Sequence, residues 1–446
     1  MGDPRARLQL SGHRFLAHRM AHALVRGDTG MLDDPLRTQS ISLAAGAVAA
    51  VIAVAVCAVL AVLRPGGSLG DARIVVVRES GAVYVRVDDV MHPVFNLASA
   101  RLVLGEAAAP RVVSQRALER TATGSQLGIP GAPEQISPPL GTEQAQWTVC
   151  DGQQGATVTA GPAAGAATVA GNVLVTPRGE SAALTYLLHD GRRSRVDLRH
   201  SAVVRALKLD GVVPQAVSPE LLAAVPEAPA IVPPHIPGRG AAGPGILRDQ
   251  PVGAVVTVAR ADGGAGDFYV VLDGGLQRIG EVAADLIRFT GPQAGAGVPA
   301  VASDVVGAVP VVTSLPVGTY PEHAGVVTEA VVCAVWSPER GQDGSHTRIR
   351  VGAQAPAGPT VPTGRSLFVR SVGLTGGGHS SGSLFLVTDT GTRYGIRDAG
   401  TATALGLPDD PVPAPWPVLA LLPAGPELSR DAALRTGTSP PPQPSR

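Results

Sequence analysis

The chain has 446 residues, 36 Lys+Arg against 36 Asp+Glu, 16% charged residues and an isoelectric point near 7.2. That length allows two or three modules with cores of their own, while zero net charge argues against a nucleic-acid binder, which needs a net basic face to displace phosphate counterions. Gly and Pro, 55 and 40 residues, make up about a fifth of the chain, short of the ~25–30% of low-complexity sequences, so a folded, loop-rich protein is expected.

In chain order, residues 1–42 come first. Phe15, Leu16, Met20, Ala23 and Leu24 recur at helical spacing, with Arg14, His18, His22 and Arg26 largely elsewhere on the wheel. Two readings stay open: an ordinary surface helix, or a basic amphipathic helix resting on an anionic leaflet or docking a partner. Its basic face would comprise Arg14, Arg19, Arg26 and Arg37. His18 and His22, four apart, suit a metal pair, but no third ligand accompanies them, so no metal site is assigned.

Residues 43–63, bounded by Leu43 and Leu63, carry no charge and no proline, and their length matches the ~20 residues a helix needs to cross the hydrocarbon core. A cleaved signal peptide has a shorter apolar run and no long leader before it. Val56 ahead of Cys57, with the apolar run continuing past it, argues against a lipidated cysteine. Arg5, Arg7, Arg14, Arg19, Arg26 and Arg37 precede the span, whereas Arg64, Arg73 and Arg78 follow it beside Asp71 and Glu79. The positive-inside rule then puts the N-terminus in the cytoplasm and the remainder outside. Residues 64–80 read as a stalk. Its Gly66-Gly67-Ser68-Leu69-Gly70 spells a nucleophile elbow but lacks the strand that such an elbow follows.

Beyond the stalk, four segments share one pattern. An aromatic (Tyr84, Tyr186, Tyr269, Phe385) is followed four residues later by Asp (Asp88, Asp190, Asp273, Asp389), and an aliphatic residue (Val94, Val196, Ile279, Ile396) comes six or seven later. This predicts a strand, a turn that the Asp caps, and a returning strand. An Ala-rich stretch follows each hairpin, so the unit is hairpin plus helix. The uneven spacing of the aromatics excludes a regular solenoid.

A larger period appears in the cysteines: Cys150 lies 66 residues after Tyr84, and Cys333 lies 64 after Tyr269. Upstream of them, Ile129-Pro130 and Leu315-Pro316 open similar Pro-Gly segments. The order is repeat, middle segment, repeat, then the same again, which predicts a pseudo-two-fold axis. Cys150 and Cys333 are equivalent and are the two cysteines outside the membrane, so an oxidised pair joining the halves is expected. Trp147 and Trp336 could flank that bridge on either side. The expected layout is a stalk (64–80), repeats at 81–125, 181–224, 251–300 and 361–410, central halves at 126–180 and 301–360, a Pro-rich linker (225–250) and an extended tail (411–446) disordered at its end.

Catalytic motifs are sparse. A Walker A loop needs Gly-x4-Gly-Lys-Ser/Thr, but the single lysine, Lys208, sits in ALKLDG with neither the glycine nor the hydroxyl. Arg192, Arg193 and Arg195 make the densest basic cluster, read as a solvated turn or a contact for an anionic polymer or partner. Gly376-Gly-Gly378-His379 reads as a loop. Paired carboxylates for glycosidase work are set against the recurrence of the Asp in all four hairpins.

The runs LQLSGHRFLAHRMAHALVRGDTGMLDDPLRTQ, YVRVDDVMHPVFNLASARLVLG, GIPGAP, WTVCD, GRRSRVDL, VVRALKLDG, VLDGGLQRIG and VAADLIRF, in this order around one span, resemble the EccB family. EccB is the single-pass inner-membrane core component of type VII (ESX) secretion systems. Gly27 and Gly30 depart from that pattern, where further Arg would stand. The resemblance implies an α+β fold with four repeat domains around a central β domain in an elongated extracytoplasmic region. It implies partners: an EccC-type ATPase, EccD and EccE, with a mycosin protease nearby, and self-association. The expected role is a scaffold without cofactor or catalytic residue, linking cytoplasmic motor and channel subunits to an extracytoplasmic assembly. ATP hydrolysis and cell-wall binding are the rival readings.

Overall fold

The computed structural model describes residues 4–27, 35–63, 69–152, 155–162, 168–169, 171–179, 184–259, 266–291, 293–339, 346–353, 359–378 and 380–435. Gly66, Gly67, Ser68, His379 and the terminal stretch 436–446 lie outside them. The chain divides into two compact units, Met1–Ser68 and Leu69–Arg446.

The first unit is helical. α1 (Pro4–Arg26) leaves Phe15, Leu16, Met20 and Leu24 exposed. α2 (Pro35–Leu63) includes one stretch, Ile41–Val59, long and apolar enough to cross a membrane. It begins upstream of Leu43, so Arg37 lies within the helix, as the absence of proline after Pro35 permits.

The second unit starts with β1 (Ile74–Val77), β2 (Val83–Val87), β3 (Val90–Val94), α3 (Leu97–Leu104), β4 (Arg111–Val113) and α4 (Gln115–Leu118). It continues through β5 (Gln146–Gly152), β6 (Gly155–Gly161) and β7 (Thr168–Val169). Next come β8 (Val173–Pro177), β9 (Tyr186–His189), β10 (Arg192–Val196), α5 (Ser201–Ala206), β11 (Gln215–Val217), α6 (Pro219–Ala223) and β12 (Glu227–Ile231). Then follow β13 (Val255–Val258), β14 (Asp267–Leu272), β15 (Gly275–Ile279), α7 (Glu281–Phe289), β16 (Ala300–Val301) and α8 (Ser303–Ala308). The chain proceeds through β17 (Val331–Trp336) and β18 (Thr347–Gly352). It finishes with β19 (Leu367–Val372), β20 (Leu384–Val387), β21 (Arg393–Ile396), α9 (Ala399–Leu405), β22 (Val412–Pro415), α10 (Trp416–Leu419) and α11 (Arg430–Ala433).

Four sheets share one connectivity. In β3-β2-β1-β4, β15-β14-β13-β16 and β21-β20-β19-β22, the last strand lies parallel to the first after a helical crossover. The sheet β11-β8-β9-β10-β12 has the same core order with β12 added. Parallel neighbours require such a crossover because a tight turn can only join antiparallel strands. The first sheet buries apolar residues on both faces. In the first sheet Ile74, Val85 and Val94 pack with α3, while Val75, Val77 and Val113 pack with Leu118 of α4.

The sheets extend beyond the expected boundaries. β1 lies in the segment assigned to the stalk, β8 in the first central half, β12 in the Pro-rich linker and β22 in the tail. Each is a short apolar run whose strand character depends on a partner distant in sequence.

The fifth sheet is central and has the order β6-β5-β17-β18-β7. β5 and β17 run antiparallel with Cys150 opposite Cys333, and the two form a disulfide with Cα atoms 4.0 Å apart. Trp147 pairs directly with Trp336, so both indoles lie at one end of the bridge and on the sheet's opposite face. They do not flank it, because in an antiparallel pair the residue three before one cysteine meets the residue three after the other.

Closing a loop across a separation of 183 residues is worth about 5 kcal/mol on the chain-entropy model. The Cys150→Ser/Cys333→Ser variant is expected to fold, held by the β5–β17 ladder, with its unfolding free energy from urea titration lowered by roughly that amount and its midpoint lowered in proportion. A midpoint equal to that of the oxidised wild type would contradict this role.

Candidate functional site

The side chains drawn together from distant segments meet at three seams. At the first, α3 packs on α9, and Ala98, Ala100 and Leu102 share a core with Ala402, Ala404 and Leu405. Small residues let the helix backbones approach closely. Both helices end on glycines in the left-handed region, Gly105 (φ 74) and Gly406 (φ 82), where other residues are strained. Arg101 Nη1 donates to the carbonyl of Leu405 at 2.8 Å, so one helix caps the carboxyl end of the other. Asn96 caps α3 by accepting from Ser99 N, and its Nδ2 donates to the carbonyl of Ile129. Ser99 Oγ accepts from Ile129 N. The Ile129-Pro130 segment is thereby fastened to α3. Gln277 fastens Leu315 with a matching pair of bonds, donating to its carbonyl and accepting from its N–H.

The second seam joins α5 to α7. Val203, Ala206 and Leu207 share a core with Val282 and Leu286, and the Arg205 guanidinium lies 4.3 Å over the Phe289 ring. Lys208 Nζ donates to Glu281 Oε1 at 2.9 Å, and His323 Nδ1 lies 3.4 Å from Glu281 Oε2. The lysine's hydrogen bond holds the Glu281 carboxyl below its ordinary value, and the same bond raises Lys208. The single lysine is therefore engaged in an inter-sheet ion pair.

The third seam is the central sheet. Trp147, Val149, Trp336 and Val332 share a core with Val175 and Leu188 of the second repeat sheet, with Val369 of the fourth and with Leu419 of α10. Asp151, beside the cystine, is buried with a side chain 2% exposed and accepts from Arg178 Nη2 at 2.9 Å.

The expected turn residues take several roles. Asp88 and Asp89 form a two-residue turn with φ of 48° and 62°, and Asp190 (φ 43°) forms another with Gly191 (φ 70°). These are mirror-type turns in which Asp tolerates the left-handed conformation. The Asp190 carboxylate lies 3.2 Å from His189 Nδ1, and Asp389 Oδ2 accepts from Gly364 N in another segment. Neither side chain caps its own turn. Asp273 stands in a third two-residue turn, and among the described residues neither it nor Asp88 makes a side-chain hydrogen bond. Arg14 and Arg19 are exposed on α1, and Arg26 and Arg37 lie in α1 and α2.

His189 Nε2 also lies 3.0 Å from Ser194 Oγ, completing a Ser-His-Asp constellation that sequence reading missed. Both residues are buried, at 1% and 0% exposure, so the network ties β9 to β10 and offers no nucleophile to a substrate. Asp151 and Arg178 were missed too, for want of a local signal beyond adjacency to Cys150. Among the described residues no cluster of three His, Cys, Asp or Glu gathers.

One membrane-spanning candidate followed by interlocked repeat sheets defines a class of anchored assembly proteins. The model of the family described as "Type VII secretion system ESX-1, transport TM domain B" matches residues 3–441. The chain is 39% identical to ESX-3 secretion system ATPase EccB3 of Mycolicibacterium smegmatis, over 96% of this chain and 90% of that protein. It is 31% identical to ESX-5 secretion system ATPase EccB5 of Mycobacterium marinum, over 96% and 92%. Among solved structures, a chain of an intact ESX-5 inner membrane complex aligns with TM-score 0.68 and 28% identity, covering 100% of this chain and 98% of that one. A chain of an EccB3 dimer from the ESX-3 core complex aligns with TM-score 0.67 and 34% identity, covering 81% and 100%. The chain belongs to the EccB family of type VII secretion systems.

Two measurements test the seams. Arg178→Ala leaves the Asp151 carboxylate buried and unpaired, so a loss of about 1–3 kcal/mol in thermal unfolding is expected. For Lys208–Glu281, the lowered Glu281 contributes stability above its unfolded value of about 4.3, lost as pH falls through its folded value. The raised Lys208 contributes below about 10.4, lost as pH rises further. Lys208→Met is accordingly expected to cost about 0.2–1 kcal/mol between roughly pH 5 and 9. The deficit shrinks in acid, and a pH-independent deficit would contradict the ion pair.

Proposed function

We propose that this protein is a structural scaffold of a type VII secretion inner-membrane complex. The shared connectivity of four sheets, arranged about a fifth in which Cys150 meets Cys333, carries this reading. In it, the region from Leu69 onward is an ancestral half duplicated: four repeat domains surround a central β domain and are related by a pseudo-two-fold axis through the cystine. The domain limits follow the strands, each repeat opening at β1, β8, β13 or β19.

The α2 span anchors the chain in the inner membrane with the N-terminus cytoplasmic, as the six arginines ahead of the apolar run favour. α1, with its exposed Phe15, Leu16, Met20 and Leu24 beside Arg14 and Arg19, faces the cytoplasmic subunits. The partners are an EccC-type ATPase, EccD and EccE, with the mycosin protease and further copies of this chain on the outer side. Similar chains solved as an EccB3 dimer and within an ESX-5 inner membrane complex support self-association.

Relatives carry "ATPase" in their names, but the lysine that a phosphate-binding loop would need is single here, flanked by the wrong residues and engaged with Glu281. Cell-wall binding has no specific feature in its favour. Purification from native membranes in mild detergent is expected to recover an FtsK-like ATPase and a multi-span protein together with this chain. Repeated recovery of the chain alone would overturn the scaffold reading. The purified full-length protein is expected to hydrolyse ATP no faster than a buffer control, and turnover surviving in Lys208→Ala would point to a site of another kind.

A further inference from the structure

The two outer edges of the central sheet differ in occupancy. Thr157 on β6 stands opposite Cys150, and Arg350 on β18 stands opposite Cys333, so the two edge strands hold equivalent places about the cystine. On β18, the outer edge at Arg350 and Val351 is taken by β7 through Val169 and Thr168. Among the described residues, the matching stretch of β6, at Thr157 and Val158, has no neighbouring strand.

The hairpin register says which groups that edge presents. β5 and β6 reverse through two residues, Gly152 pairing with Gly155. The pairs at 155, 157 and 159 therefore exchange the bonds with β5, and the N–H and C=O groups of Ala156 and Val158 point outward. Ala160, next in this outward register, donates its N–H to the carbonyl of Thr360. Among the described residues no backbone group pairs with the outward side of Ala156 or Val158. A row of unpaired donors and acceptors beside a paired twin is a template for an added strand.

Ala156 and Val158 line a cavity of about 540 Å3 together with Arg178, Ser218, Glu220 and Leu421. Arg178 is neutralised by Asp151, and Ser218 Oγ is occupied as the cap of α6, accepting from Leu221 N. Glu220 is exposed and, among the described residues, has no ion-pair partner. It is the uncompensated charge of the groove. We propose that the outer edge of β6 accepts a strand from an extended segment of a partner polypeptide, with a cationic side chain of that segment facing Glu220. Backbone pairing at Ala156 and Val158 supplies the affinity, Leu421 offers an apolar contact, and Glu220 selects the charge.

Hydrogen exchange on the full-length protein in detergent micelles tests this, using a capped hexapeptide Thr-Val-Lys-Val-Thr-Val at millimolar concentration and a twin with Glu in place of Lys. The Lys peptide is expected to slow exchange at Ala156 and Val158 at least fivefold, and the Glu peptide less. Ala156→Pro removes one outward N–H and no bond to β5, so protection is lost while the unfolding temperature holds. Glu220→Lys reverses the preference between the two peptides. Should Ala156→Pro fold poorly, a Lys peptide N-methylated on alternate amides makes the same discrimination on the wild type, expected to give no protection. Equal protection by both peptides, protection by the N-methylated probe, or no protection at all would overturn the proposal. So would concentration-dependent protection without peptide, which would assign the edge to a second copy of this chain.

Discussion

The in-register antiparallel pairing of β5 with β17 constrains everything built around it. Cys150 meets Cys333, and the flanking residues pair crosswise, Val149 with Ala334 and Asp151 with Val332. A rotation of 180° about the cystine leaves such a pairing unchanged, so whatever each strand carries with it is placed on opposite sides of one point. β6 follows β5 and β18 follows β17, which puts a hairpin partner outside each central strand.

From that constraint the remaining contacts acquire a pattern. The first repeat sheet does not pack on the second, its neighbour in sequence. Its helix α3 packs on α9 of the fourth, while α5 of the second packs on α7 of the third. Each half of the chain thus completes the core of the other, and the Trp147–Trp336 face buries elements of both. The cystine reinforces cohesion that apolar burial already provides. Charge plays a smaller part: Arg101 on the end of α9, Lys208 on Glu281 and Arg178 on Asp151 lie where sheets meet, while pairs such as Arg193–Glu227 and Arg278–Asp267 lie within one sheet. Such contacts set orientation more than they add energy, since partly exposed pairs gain little. For an anchored scaffold, a region closed by interlocked seams can pass position from one partner to another without depending on a single hinge.

Several elements were legible because their signals are local. The two-residue turns at Asp88, Asp190 and Asp273 sit between alternating apolar residues, and the Ala-rich stretches that follow have helical period. The pairing of Cys150 with Cys333 was readable from their similar spacing after Tyr84 and Tyr269. Other features carried no such signal. The runs that became β1, β8 and β22 are apolar and short, which suits a strand, a buried turn or a linker equally. β22 becomes a strand because Val412 to Pro415 finds β19. The carboxylates of Asp190 and Asp389 were expected to cap their own turns, but side-chain packing directs them to His189 and Gly364. The same holds for Asp151, whose burial depends on a sheet assembled from segments 183 residues apart in sequence.

Composition, apolar run length and residue spacing were enough to read an anchored chain of zero net charge with recurring hairpins and paired cysteines, because membrane transfer and turn chemistry act through neighbours in sequence. Which sheet packs on which, that both tryptophans share one end of the bridge, and that β18 has an edge partner while β6 has none among the described residues were decided in three dimensions. Arg101 reaches Leu405 across 304 residues of sequence. Contacts of that span are selected by the fit of whole faces and the satisfaction of buried groups, quantities that exist only once the chain has folded.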